Sequence, residues 1–69
     1  MKTDDLLQLE RALYLKPRPL SRVLGIAYST YMGYREGVRP IPRYVEFHAK
    51  ALLALPDDTR EKIVGERLE

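Results

Sequence analysis

Cysteine and tryptophan are absent from this 69-residue chain, and histidine and phenylalanine each occur once. Without cysteine there is neither a disulfide framework nor a thiolate metal site to brace a small fold. The lone histidine, His48, has no second imidazole with which to ligate a metal, and no nucleophile-base pair stands out. A glycine-rich phosphate loop is missing as well. No catalytic residue, metal ligand, cofactor or small-molecule substrate is therefore assigned, and the chain reads as a non-enzyme. No apolar run approaches the ~20 residues that span a bilayer, and the segment Met1–Leu9 carries Asp4 and Asp5 where a secretory signal is basic. The expectation is a soluble protein of a reducing cytoplasm with no membrane partner.

What is present is charge, unevenly placed. The net charge is only +2, but between Lys16 and Arg43 six bases (Lys16, Arg18, Arg22, Arg35, Arg39, Arg43) meet one acid, Glu36. From Asp57 to Glu69 five acids outnumber three bases. A basic middle and an acidic end suit a central surface laid on a polyanion, although a solvated charged surface has the same composition. So short a chain makes a marginal core unless helices pack efficiently or a second copy adds buried surface, so a homodimer is expected.

Alternating strand patterns are missing and helical punctuation is frequent, which predicts one all-α domain over residues 1–69 with five helices. The first runs from about Asp4 to Tyr14, with Thr3 as N-cap and Leu6, Leu9 and Leu13 on one face; it stops before the Lys16-Pro17 junction. A second spans Pro17 to Leu24, since prolines are tolerated in a first turn, and Gly25 closes it in a left-handed conformation. Leu20, Val23 and Leu24 form its buried stripe. After a turn of about four residues a third helix covers Tyr28 to Glu36 and ends at Gly37. Two short helices joined by a glycine-containing turn, here residues 17–36, constitute a helix-turn-helix.

Pro40 and Pro42 stiffen the following connector. A fourth helix, residues 42–55, carries two apolar rows, Val45/Ala49/Leu52 and Tyr44/Phe47/Ala51/Leu55, too wide a face for one neighbour. Pro56 ends it. Asp58 with Glu61 makes a capping box for a weakly amphipathic fifth helix, residues 58–68, and these last two helices are assigned to core and dimerisation.

Leu20-Ser21-Arg22-Val23-Leu24-Gly25-Ile26, followed by Tyr31, Tyr34 and Gly37, resembles the lambda-repressor-like, Cro/C1-type helix-turn-helix family, also called XRE. Ser21 fills the family's small site, Tyr31 its apolar site and Tyr34 the usual Trp site. The resemblance covers residues 5–55, from Leu6, Leu9, Leu13 and Leu15 to Arg39-Pro40-Ile41-Pro42. The run Arg35 to Pro42 with Val45 and Phe47 also looks like small phage regulators of the anti-CRISPR-associated type. The resemblance implies a five-helix lambda-repressor-like domain that binds double-stranded DNA at an inverted-repeat operator, as a dimeric repressor of a phage or mobile-element operon. Some related folds are instead antitoxins or inhibitors whose main partner is another protein.

Three departures from the family pattern carry information. Pro17 stands where a Gln commonly holds a DNA phosphate, leaving that work to Lys16 or Arg18. Ala27 replaces the usual Ser or Thr cap, a loss of about 1 kcal/mol. Glu10 and Arg35 occupy positions where the family commonly has Arg and Glu, so the signs are exchanged together and a reversed structural salt bridge is expected between them.

By the same resemblance the third helix enters the major groove N-terminal end first, presenting Tyr28, Ser29, Met32 and Gly33 to base edges. Ser29 offers a hydroxyl to a base edge or phosphate, and Tyr28 a hydroxyl and a flat face suited to a thymine methyl. Gly33 costs about 1 kcal/mol of helix propensity relative to Ala, either because DNA approaches its backbone or because it is merely tolerated. Thr30, Lys16, Arg18, Arg22, Arg39 and Arg43 are assigned to phosphates and backbone. No Arg, Lys, Asn or Gln lies on the helix's exposed face to make the bidentate contacts that read guanine or adenine. Five tyrosines near bases also fit a stacking platform for single strands, but the spacing of Tyr28, Tyr31 and Tyr34 favours core packing for the last two.

Overall fold

Five helices and no strand follow one another as α1 (Thr3–Leu13), α2 (Pro17–Leu24), α3 (Tyr28–Arg35), α4 (Arg43–Ala54) and α5 (Asp57–Leu68). They are seen in a computed structural model that describes residues 1–69. The core is one cluster: Leu6 and Leu9 of α1, Leu20, Val23 and Leu24 of α2, Tyr31 and Tyr34 of α3, and Val45, Ala49 and Leu52 of α4. Every one of these follows a 3.6-residue stripe, so α1 to α4 are held by burial of one face more than by intrinsic propensity. The second helix sits centrally and packs against α3, α4 and α5, while α1 packs on α3 and α4. No helix is long and apolar enough to cross a membrane.

Helix ends show where local chemistry departs from expectation. Thr3 is the first residue of α1 and not its cap; Lys2 takes that place, and its N–H donates to Asp5 Oδ2 at 2.8 Å. Freed from capping, Thr3 Oγ1 donates across the fold to the Tyr34 carbonyl at 3.2 Å, joining the start of α1 to the end of α3. At the other end of α1, Tyr14 adopts a left-handed conformation (φ 55°) that a side chain ordinarily avoids. There its N–H donates to the Arg11 carbonyl and the Leu15 N–H to that of Glu10. Gly25 (φ 73°) and Gly37 (φ 77°) end the next two helices in the same region without that cost. Ala27 caps α3 with no side-chain acceptor.

The capping box expected from Asp58 and Glu61 does not form. The last helix starts a residue earlier, at Asp57, with Pro56 at its N-cap, and Asp57 pairs instead with Arg60. None of its residues is fully buried; Ile63, Val64 and Leu68 rest half-exposed on the core. Two arginines compensate. Arg60 Nη1 donates to the Leu53 carbonyl at 3.3 Å, and Arg67 Nη1 donates to the Val23 carbonyl at 2.9 Å. The Arg67 group also lies 2.6 Å from His48 Nε2, so α5 is tied to both α4 and α2. Burial and the Arg67 charge hold the His48 pKa below its ordinary value.

Candidate nucleic-acid interface

Tyr31 and Tyr34 point α3 inward, which turns Ser29, Met32 and Gly33 to the opposite side, with Tyr28 and Thr30 on its flanks. Ser29 is exposed, Tyr28 lies at the edge of exposure, and Thr30, Met32 and Gly33 are half-buried. Met32 divides its side chain between this surface and the core, against which it packs. The three-residue turn Gly25–Ala27 leaves α2 beside α3, and the connector after Gly37 doubles back along the same helix.

Two arginines reach this surface from the neighbouring segments. The Arg18 guanidinium of α2 sits 4.0 Å above the centroid of the Tyr28 ring, a cation-π contact. One flat face of Tyr28 is thus covered by the Arg18 guanidinium. At the other end of α3, the Arg39 side chain lies across Gly33. A Cβ at Gly33 would stand 3.0 Å from Arg39 Cδ, 3.2 Å from Cγ and 3.3 Å from Nε. The Arg39 stem thus packs against the helix where Gly33 leaves room for it.

Of the arginines, Arg35, Arg60 and Arg67 make side-chain contacts within the fold, while Arg18, Arg22, Arg39 and Arg43, like Lys16, pair with no carboxylate. Being unpaired is no signature alone, since Arg11 and Lys62 are unpaired too. What sets Arg18 and Arg39 apart is that both are laid on α3.

Arg35, by contrast, is committed inward. Its Nε donates to Glu10 Oε2 at 2.9 Å, and the Tyr31 hydroxyl donates to that same oxygen at 2.6 Å. The Glu10 carboxylate is mostly buried, with 12% of its side chain exposed, so two charge-assisted hydrogen bonds replace the water it loses. Glu10 holds the Arg35 pKa above its ordinary value. Burial first, and the Glu10 hydrogen bond second, push the Tyr31 hydroxyl well above the ordinary tyrosine range, so it stays protonated as the donor. Tyr31 was expected only as a core residue; its spacing of four from Arg35 puts both side chains on one side of α3 and was the available signal for a three-membered network.

The expected interface residues thus divide. Tyr28, Ser29, Met32 and Gly33 share one surface with Arg18 and Arg39, whereas Arg22 and Arg43 are exposed on α2 and at the start of α4 with no contact to that surface recorded. Lys16 is the N-cap residue of α2. No protein-family model, curated protein or solved structure matches the chain.

Proposed function

We propose that the chain is a sequence-specific double-stranded-DNA-binding transcriptional regulator of the lambda-repressor-like helix-turn-helix class, acting as a homodimeric repressor of a phage or mobile-element operon in the cytoplasm. The observation that carries this reading is the pair of unpaired guanidinium groups, Arg18 and Arg39, resting on the outward side of a short helix whose inward side is core. A helix of this size fits the major groove; Arg18, beside its N-terminal end, meets a phosphate of a bordering strand, and Arg39 lies over the side that faces the groove. Ser29 then faces base edges; Lys16, Arg22 and Arg43 extend the contact along the backbone. Arg35 takes no part, because Glu10 holds it.

Repression follows from occupancy: a dimer seated on an inverted repeat excludes polymerase from an overlapping promoter. Two half-sites about one helical turn apart multiply a modest preference per half-site. Exposed Tyr44 and Phe47 on α4 supply an apolar surface for the second copy. The same two side chains favour the second reading, a protein-interaction module such as an antitoxin or inhibitor. Fluorescence anisotropy on duplex fragments from upstream of the gene separates the two. A regulator binds with log K falling linearly as log salt rises, by about 0.9 per phosphate contacted; an interaction module shows no binding to any duplex at 50 mM salt.

A further inference from the structure

The recognition surface of α3 carries no side chain of its own that makes a bidentate contact to guanine, yet an arginine is stationed on it from outside the helix. We infer that Arg39 reads a guanine base edge, and that Gly33 is glycine so that the Arg39 side chain can cross the helix to do so; this rests on the DNA-binding reading above.

The geometry leads to Arg39 by three steps. Gly37 takes a left-handed conformation (φ 77°), which reverses the chain, and the Gly33 carbonyl accepts from both the Val38 N–H at 3.0 Å and the Arg39 N–H at 3.1 Å. The Arg39 backbone is thereby pinned over the helix, and Pro40 restricts its remaining freedom. Next, the stem of this exposed side chain runs over Gly33, with Cγ, Cδ and Nε all within 3.3 Å of where a Cβ would be. A Cβ at position 33 makes the arginine stem give by a few tenths of an ångström, and a larger side chain by more. Finally, the guanidinium has no carboxylate and no hydrogen bond within the chain, so its donors are unspent. A guanidinium offers a rigid fork matched to guanine O6 and N7, and one held beforehand by its own backbone and stem loses less rotamer freedom on engaging them. A phosphate clamp has no need of so fixed a fork, since a flexible exposed cation suffices for it.

The test is selection of bound sites from random duplex DNA by the full chain and by Arg39→Gln, Arg39→Lys and Gly33→Ala, each first checked for native helical content and unfolding temperature. The wild type enriches a guanine at one position of each half-site. Arg39→Gln, whose amide suits adenine, loses that guanine by about 10-fold or more while the other positions keep their preference. Gly33→Ala weakens the same position although its charge is unchanged, which no loss of a phosphate contact reproduces. Two outcomes overturn the inference. If Arg39→Gln lowers affinity evenly across all sequences and reduces the salt slope by about one, with Arg39→Lys indistinguishable from wild type, Arg39 is a phosphate contact and the regulator reading survives. If the wild type enriches no site and binds no duplex, the regulator reading falls and takes this assignment with it.

Discussion

The third and fifth helices use arginine in opposite ways. Around α3, Arg18 and Arg39 are arranged on the surface but bonded to no carboxylate, whereas at α5 both arginines are committed to the fold's own carbonyls. The difference follows from burial. The third helix buries two tyrosines and is tied to α1 on its inner side through Glu10 and Thr3, which leaves the Arg18 and Arg39 side chains out of the fold's hydrogen bonding, while α5 buries no residue fully and is fastened by Arg60 and Arg67. A small chain whose last helix lacks a strong apolar stripe stabilises it with hydrogen bonds, and charges elsewhere stay available for a partner.

The contrast is most easily broken at the α1 and α3 junction, where Arg35 behaves like the α5 arginines although it belongs to the basic segment. Glu10→Ala deprives the buried Tyr31 hydroxyl of its acceptor and should cost about 1–3 kcal/mol. In a domain of this size each kcal/mol lowers the unfolding temperature by roughly 4–8 °C, measurable by circular dichroism. Glu10→Arg combined with Arg35→Glu should recover much of the loss relative to either reversal alone. No recovery in that cycle would mean that the pair does not act as a unit.

Arg67→Ala sharpens the comparison at α5. It leaves the Val23 carbonyl without this donor and should cost about 1 kcal/mol with duplex affinity unchanged. The pH dependence goes with it. His48 is held below its ordinary pKa, so the unfolded chain binds the proton more readily and folding stability falls as pH drops below about 6.5. A protonated Nε2 also cannot accept from Arg67. Denaturant titrations between pH 8 and pH 5 should show this loss in the wild type and a smaller one in Arg67→Ala, where only the burial contribution remains. Smallest is the effect at Tyr14, which is 94% exposed in its left-handed conformation. Tyr14→Gly should raise stability by up to about 1 kcal/mol, whereas Gly25→Ala, at an equivalent φ on α2, should lower it.

Helix order, the Leu and Tyr stripes, and the glycine endings were legible in the sequence because each depends on residues within one or two turns of each other. The Glu10 and Arg35 pairing was legible for another reason: the signs depart together from the pattern the chain resembles, so a contact across 25 residues left a local trace. Other contacts left none. Thr3 looked like a cap because a hydroxyl stood before two acids, but Asp5 serves the Lys2 N–H and the helix takes Thr3 in as its first residue, leaving the hydroxyl to donate to the distant Tyr34 carbonyl. Asp58 and Glu61 had the spacing of a capping box, but Pro56 sets the helix start one residue earlier. Gly33 offered a choice between two explanations, and the third, an arginine from beyond the next turn, required the chain reversal at Gly37 to be seen in space. Likewise the link from Arg67 to Val23 spans 44 residues and has no periodicity to announce it.

The most direct test compares charge reversals around α3 and on α5. Salt titrations of duplex affinity would be run on the wild type, on the Arg18→Glu, Arg39→Glu double variant, and on Lys62→Glu, whose residue is exposed on α5. The double variant should lose at least about 100-fold in affinity at 100 mM salt with a shallower salt slope, while Lys62→Glu stays close to the wild type. Equal losses in both variants would mean that DNA responds only to net charge, contradicting an interface centred on α3.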